Sequence, residues 1–256
     1  MIFDTHMHTI FSSDSKMSIS EVINTSKSLN LGVCLTEHMD LDYPEENEFK
    51  CDIPRYLETY SNYRSDSLLL GIEIGMTQNT LLENEATANK YDFDYILGSI
   101  HTVDGLDIYN TFHNNKLPSD DFYKRYYENM LYCVENYNNF DSLGHIDYLF
   151  RYAPFPNNEI NINPYKEIVE AIFLNLIKKD KAIEINTRRL SNPASLQALL
   201  ETYKFYKELG GRYVTIGSDA HTPSAIGNNI KEALMLAEQL SLKPIYYKSR
   251  KINYFK

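Results

Sequence analysis

Short apolar runs alternate along the chain with longer stretches in which apolar residues recur every third or fourth position. The short runs, rich in β-branched or aromatic side chains, predict strands at 2–5, 32–36, 68–74, 95–100, 141–144, 182–186 and 213–217. The periodic stretches predict helices at 19–29, 120–137, 165–179, 194–209 and 228–240. Ser18 followed by Glu21 reads as a capping box that opens the first helix, with Gly32 as its nearby stop. Pro164 and Pro193 stand near helix starts, where a fixed φ is tolerated, and Gly210-Gly211 ends the helix that Pro193 opens. Segments 104–119 and 154–163 read as long loops, the first of them lying over the site. The tail 243–256 is basic and aromatic; a solvated basic end is preferred to a packing strand.

Strand-then-helix alternation implies right-handed parallel crossovers and hence an α/β fold. Seven such units fit a closed or distorted TIM-like barrel, a (β/α)7 arrangement, with a doubly wound open sheet as the alternative. A barrel of this kind typically takes about 250 residues, and the chain has 256 with no convincing linker, so a single domain over 1–256 is expected.

Composition narrows the functional classes. The net charge of −10 argues against a polymeric nucleic acid, whose backbone demands clustered Lys and Arg. A small phosphorylated substrate remains compatible, because bound divalent cations would reverse the local field. Cys34, Cys51 and Cys133 are widely spaced and odd in number, which disfavours a disulfide framework or a thiolate zinc knuckle. No apolar run approaches the ~20 residues needed to span a bilayer, and the first strand leaves no room for a signal peptide. A cytoplasmic protein, monomeric or a small homo-oligomer, is expected.

The chemistry begins at Asp4-Thr5-His6-Met7-His8. Side-chain direction repeats every second residue along an extended backbone, so His6 and His8 point the same way. Two imidazoles pointing together suit a shared cation. Four other histidines also fall at predicted strand ends: His38, His101, His145 and His221. Glu73 sits in the apolar run Leu69-Leu70-Gly71-Ile72-Glu73-Ile74-Gly75, where a carboxylate must be paired or coordinated. Asp219 and His221 repeat the two-residue spacing after the last strand, and Asp14 follows the HxH in a Ser-rich loop. Parallel barrels deliver the C-terminal ends of their strands to one mouth, so these side chains should converge. Nitrogen and oxygen ligands without thiolates suit Zn²⁺, Mn²⁺ or Fe²⁺.

The motifs DTHMHT, LTEH, GIEIG, GSIHTVDG, GHIDYLFRY and GSDAH, running in order from Asp4 to His221, resemble the polymerase and histidinol phosphatase (PHP) family, most closely its histidinol-phosphatase branch. The resemblance implies a distorted barrel of seven strands and two to three divalent metal ions at a trinuclear site. It would give His6, His8, Glu73 and Asp219 to one metal, Glu73, His101 and His145 to a second, and Asp14, His38 and His221 to a third. The family often carries a histidine at or near the Asp14 position, so this chain departs from it there. The implied reaction is hydrolysis of L-histidinol phosphate to L-histidinol and phosphate in histidine biosynthesis, with a metal-bridging hydroxide attacking phosphorus in line. Glu73 would bridge metals, and His221 or Asp219 would relay a proton to the leaving group. Arg151 is the first choice as a bidentate phosphate clamp, Arg188 and Arg189 are further candidates, and His38 would also contact substrate.

Plainer readings attach to other residues. His113 is expected to be an exposed loop histidine, Arg55 an exposed helix residue, and Tyr123, Tyr126 and Tyr127 a packed helix face. Asp40 and Asp42 are either solvated acids or groups that orient imidazoles. Asp4 is expected to support the HxH by hydrogen bonding, and Cys34 to be a small core residue. Competing functions are another small phosphomonoesterase, a nucleotide phosphodiesterase, a non-catalytic binding module, and an amidohydrolase-like deaminase or lactonase. The full ligand set disfavours the binding module. The amidohydrolase reading expects a lysine at a middle strand end, and none stands there.

Overall fold

A computed structural model of the chain describes residues 1–45, 48–113, 121–153 and 159–255. In chain order the first half contains β1 (Ile2–Asp4), α1 (Ile19–Leu29), β2 (Leu31–Met39), α2 (Ile53–Tyr60), β3 (Leu68–Gly75), α3 (Leu81–Lys90) and β4 (Tyr95–Ser99). A small antiparallel pair, β5 (Thr102–Val103) and β6 (Leu106–Asp107), leads into α4 (Ile108–His113). The second half contains α5 (Phe122–Asn136), β7 (Ser142–Leu143), α6 (Tyr148–Tyr152), α7 (Lys166–Lys178), β8 (Ala182–Asn186), α8 (Pro193–Glu208), β9 (Tyr213–Gly217), α9 (Ile230–Gln239), β10 (Lys243–Lys248) and β11 (Lys251–Tyr254).

Among the described residues the main sheet has nine strands in the order β1-β2-β3-β4-β7-β8-β9-β10-β11. Every neighbouring pair is parallel except the terminal β10–β11 hairpin. The chain just past β1 also meets β9 and the turn after it: Thr5 N–H donates to Ile216 O at 2.8 Å, His8 N–H to Ala220 O at 2.9 Å, and Met7 pairs with Ala220 in parallel.

Period-two alternation sorts each strand. One face carries Val33, Leu35, Leu70, Ile72, Ile96, Ile183 and Ile185 against the helices, in the large core with Val169, Ile172 and Leu199. The opposite face is layered along the strand direction. Its lower layer is a small apolar cluster of Phe3, Cys34, Leu69, Tyr95, Leu97 and Ala182. Its upper layer, two or four residues further on, holds Thr36, His38, Glu73, Ser99, Glu184 and Asn186, all buried. Apolar packing thus forms the floor on which the polar constellation stands.

Several local expectations need correction. The stop of α1 is Asn30, with φ of 54° and its N–H bonded to Lys27 O and Ser26 O; Gly32 lies inside β2, where an added Cβ would approach the Phe3 ring to 2.5 Å. The capping box at Ser18 and Glu21 is present in both directions. Segment 104–119 is not simply a loop, because β6 and α4 occupy its first half; residues 114–120 lie outside the described residues, as do 154–158 of the second expected loop. Helix α3 escaped prediction because its sequence is polar nearly all round, with Asn84 and Ala88 buried.

The tail is a packing element and not a solvated end. Its turn, Ser249-Arg250, takes positive φ at both residues, as a tight hairpin requires. Ile245 and Tyr247 insert into the apolar floor, Tyr246 stacks on Phe3 at 3.9 Å, and the Tyr247 hydroxyl donates to Asp141 O at 3.1 Å. Arg250 reaches Asp141 at 2.5 Å. Among the described residues no helix is long and apolar enough to cross a membrane.

Candidate metal centre and its cavity

The upper layer brings the expected ligands together. His6 and His8 follow β1, with Met7 between them turned into the apolar core. Past β9 the backbone folds over the HxH: Asp219 N–H donates to His6 O at 2.8 Å, and Asp219 sits in the left-handed region at φ 57°. A non-glycine residue there is strained, and such strain collects at functional sites. Gly217 is needed just before it, because a Cβ would lie 2.3 Å from both Glu184 Oε1 and His6 Cβ.

Glu73 is the hub. Its Oε1 lies 2.9 Å from His145 Nε2 and 3.3 Å from His101 Nε2, and accepts Ser99 Oγ at 2.6 Å. Its Oε2 lies 3.0 Å from His38 Nδ1, 3.4 Å from His6 Nε2 and 3.6 Å from His8 Nε2. Asp219 Oδ1 completes one group, 3.7 Å from His6 Nε2 and 3.5 Å from His8 Nε2. Asp14 Oδ2 stands between His221 Nε2 at 2.8 Å and His38 Nε2 at 3.6 Å. Three-membered groups with ligand atoms within 4.8 Å of one another include His6–His8–Glu73, Glu73–His101–His145 and His8–His38–His221. The nine residues expected as ligands therefore form one connected cluster.

The donor set fits divalent cations. Bonds of about 2.1 Å at a tetrahedral angle separate neighbouring ligand atoms by roughly 3.4 Å, the spacing seen around Glu73. His6 Nε2 and His8 Nε2 face each other at 3.0 Å. Glu73 Oε2, His38 Nδ1 and Asp40 Oδ2 are buried and crowd one another, yet among the described residues none has a partner in hydrogen-bond geometry. Buried polar atoms demand partners, and a cation among them would supply one.

Charge among the chain's own side chains is divided accordingly. Burial alone would push the Glu73 carboxyl up, but His6, His101 and His38 outweigh it and hold it well below its usual range. Burial pushes His6 down, yet Glu184, Glu73 and Asp219 raise it well above an ordinary imidazole. Burial pushes His8 and His145 down, and there it prevails. Some rings thus carry the positive charge that offsets the carboxylates, a task a cation would take over.

Four acids behind the cluster orient it. Glu184 Oε1 lies 2.7 Å from His6 Nδ1, and its Oε2 accepts His145 N–H at 2.8 Å. Asp40 Oδ1 lies 2.7 Å from His101 Nδ1, while Asp42 accepts Thr77 Oγ1 at 2.7 Å. Glu37 accepts the Thr9 and Ser12 hydroxyls, both at 2.6 Å, and pins the loop after the HxH. Asp4 accepts Ser218 N–H at 2.8 Å and Gly227 N–H at 2.9 Å. Glu37 and Glu184 were missed in the sequence, although each lies in an apolar strand as Glu73 does.

A cavity of about 340 Å³ opens beside the cluster, lined by Asp14, His38, His101, His145, Asp219 and His221 on one side. The arginines divide. Arg188, 49% exposed, lines the cavity, its Nη1 3.6 Å from Asp219 Oδ2. Arg151 is buried behind Asp219 and donates to its Oδ2 at 2.7 Å. Arg189 points away to Glu159 at 2.8 Å and does not line the cavity. His113 is exposed at the end of α4 and stacks on Tyr109, Arg55 is exposed, and Tyr126 and Tyr127 are core with Tyr123 against Phe150. Cys34 is buried in the floor.

Comparison with known proteins agrees with this geometry. A protein of Clostridium acetobutylicum named probable histidinol-phosphatase is 44% identical over 254 residues, 99% of this chain and 100% of its own length. The histidinol-phosphatase of Lactococcus lactis subsp. lactis is 28% identical over 226 residues, 85% of this chain and 83% of its own. The crystal structure of histidinol phosphate phosphatase from that Lactococcus, complexed with Zn, L-histidinol and phosphate, matches with a TM-score of 0.89 at 26% identity, covering 98% of each chain. The PHP domain family matches residues 4–188, most of the strands and all of the cluster except Asp219 and His221. With its motifs, its fold and its relatives in accord, this chain belongs to the PHP domain family.

Proposed function

We propose that this chain is a histidinol-phosphatase, a phosphoric monoester hydrolase that converts L-histidinol phosphate to L-histidinol and phosphate. The observation that carries the reading is the convergence of imidazoles and carboxylates on Glu73 beside a cavity, in a chain aligned end to end with a probable histidinol-phosphatase. The hydrogen bonds that join the chain just past β1 to β9 and its following turn support a closed, distorted barrel of seven strands in a single domain.

His6, His8, Glu73 and Asp219 would hold one cation, Glu73, His101 and His145 a second, and Asp14, His38 and His221 a third. Zn²⁺, Mn²⁺ or Fe²⁺ bound there would supply Lewis acidity toward the phosphoryl oxygens and a nucleophile at neutral pH.

The chain's own side chains bind and orient. Arg188, at the cavity wall, engages the phosphate, since a guanidinium matches two phosphoryl oxygens. Arg151 acts from behind, fixing Asp219. His221 Nδ1 lies 2.9 Å from the Asp219 carbonyl and its Nε2 lies 2.8 Å from Asp14 Oδ2, so the ring is held between the backbone and the cluster. Burial would raise the Asp219 carboxyl, but His6, His8 and Arg151 hold it well below its usual range. An ionised Asp219 serves better as a ligand than as a proton donor, which leaves the relay to His221. Glu184 and Asp40 fix the ring orientation of His6 and His101.

The test is phosphate release from Zn²⁺- or Mn²⁺-loaded protein, with L-histidinol phosphate compared against a panel of other mono- and diesters. Preferred turnover of L-histidinol phosphate is expected. Preference for a diester, with negligible histidinol phosphate turnover, would overturn the substrate assignment.

A further inference from the structure

Besides the histidines the cavity wall carries aromatic rings, Tyr43, Phe49, Tyr109, Tyr148 and Tyr152, and one further acid, Asp107. Phe49 packs against His38, and Tyr148 against His101 and His145, so the aromatic lining continues directly from the cluster. Of the acids lining it, Asp14, Asp40 and Asp219 each face an imidazole or guanidinium nitrogen within 4 Å, whereas Asp107 has none that near among the described residues and feels only the more distant His101 ring. Asp107 is nonetheless buried, at 6% exposure. The β5–β6 pairing sets it opposite Thr102, and Ile108 N–H donates to His101 O at 3.0 Å, so the acid is fixed next to the cluster.

Asp107 has an ordinary structural task, accepting Asn110 N–H at 2.6 Å through Oδ1 at the start of α4. That task engages one oxygen and needs no charge, because asparagine caps a helix as well as aspartate does. Asn110 Nδ2 in turn donates to the Tyr43 hydroxyl at 3.1 Å, tying this turn to the aromatic wall. A buried carboxylate without a cationic partner is expensive, and aromatic faces around it also attract cations.

We infer that Asp107 selects a cationic amine on the organic end of the substrate, making this a site for amine-bearing alkyl phosphates. The inference rests on the phosphomonoesterase reading above and adds to it a specificity-determining residue. With the phosphate at Arg188 and the cluster, the ammonium group lies at Asp107 and the remaining carbon skeleton against the tyrosines.

The experiment compares L-histidinol phosphate with its desamino analogue, imidazolylpropyl phosphate, in metal-loaded wild type and Asp107→Asn. The wild type should prefer the amine-bearing ester. In the variant the ratio of the two kcat/KM values should fall by roughly tenfold or more, as for loss of a charged hydrogen bond. An unchanged ratio, including an equal loss on both esters, overturns the inference. Should the variant fail to fold, L-histidinol must still inhibit the wild type more strongly than imidazolylpropanol, and equal inhibition overturns it. If the wild type ignores L-histidinol phosphate, the substrate assignment has failed. The inference is then judged on phosphoethanolamine against ethyl phosphate, where it still requires a preference that Asp107→Asn removes.

Discussion

Glu184 and His6, 178 residues apart, meet through an Oε1–Nδ1 contact of 2.7 Å in a fully buried setting. The carboxylate's other oxygen receives His145 N–H, so one acid aligns two histidines assigned to different cations. Glu184→Gln keeps the shape but weakens this hold. Metal affinity is expected to drop by about 10–100-fold, the usual effect of losing a partner behind a ligand. Chelator competition checks it, and unchanged affinity would remove Glu184 from this role.

Glu73→Ala deletes the hub. The protein should keep its far-ultraviolet circular dichroism, because the strand's apolar neighbours Ile72 and Ile74 still pack in the core. It should lose most of its bound metal and essentially all turnover. Full metal content in the variant, measured by elemental analysis, would refute a bridging position.

The two arginines should separate cleanly. Arg188→Ala removes an exposed cation at the cavity, and KM should rise roughly tenfold with the fold intact. Arg151→Ala removes a buried charged hydrogen bond to Asp219, whose other oxygen still faces His6 and His8, so a loss of about 1.5–3 kcal/mol is expected. Urea denaturation should show the loss for Arg151→Ala alone. Equal destabilisation by both variants would contradict the division.

Protons and cations compete at His101. Burial pushes this ring down, but Asp40 and Glu73 outweigh it and raise it to about 10. An imidazole in the unfolded chain titrates near ~6.5. The stabilisation from the charged ring is therefore complete below ~6.5 and is lost as pH rises through about 10. Metal binding needs the neutral ring. The metal-free protein should lose thermal stability across this window while apparent metal affinity climbs. A flat Tm and flat affinity would show that the ring is not protonated.

The C-terminal hairpin should matter to stability without entering the site. Tyr247→Ala removes a buried ring from the apolar floor, for which about 3–5 kcal/mol is typical. The kcat of folded variant should be unchanged. A variant as stable as wild type would return the tail to the solvated end that its charge suggests.

What could be read from the sequence followed from how local each signal was. Strand runs and the capping box at Ser18 are local, and they appear where expected. The histidines were legible because strand ends share one mouth, so their sequence positions already implied proximity. Glu73 stood out as a carboxylate in an apolar run; the same argument applied to Glu37 and Glu184 would have found the acids behind the cluster. Choosing Asp40 over Asp42 was not possible, because it depends on Gly75, where an added Cβ would stand 2.0 Å from Asp40 Oδ1. Ordering Arg151 and Arg188 also required the geometry beyond a strand end, where period two stops. In the tail, basic residues masked the alternation that buries Ile245 and Tyr247.

The central claim is that this one cluster cages several cations. Anomalous diffraction from crystals of Zn²⁺-loaded protein tests it most directly. Two or three peaks are expected within the cluster, at least one of them about 2.1 Å from a Glu73 oxygen. A map without peaks there, or with peaks only at surface acids, would contradict the account.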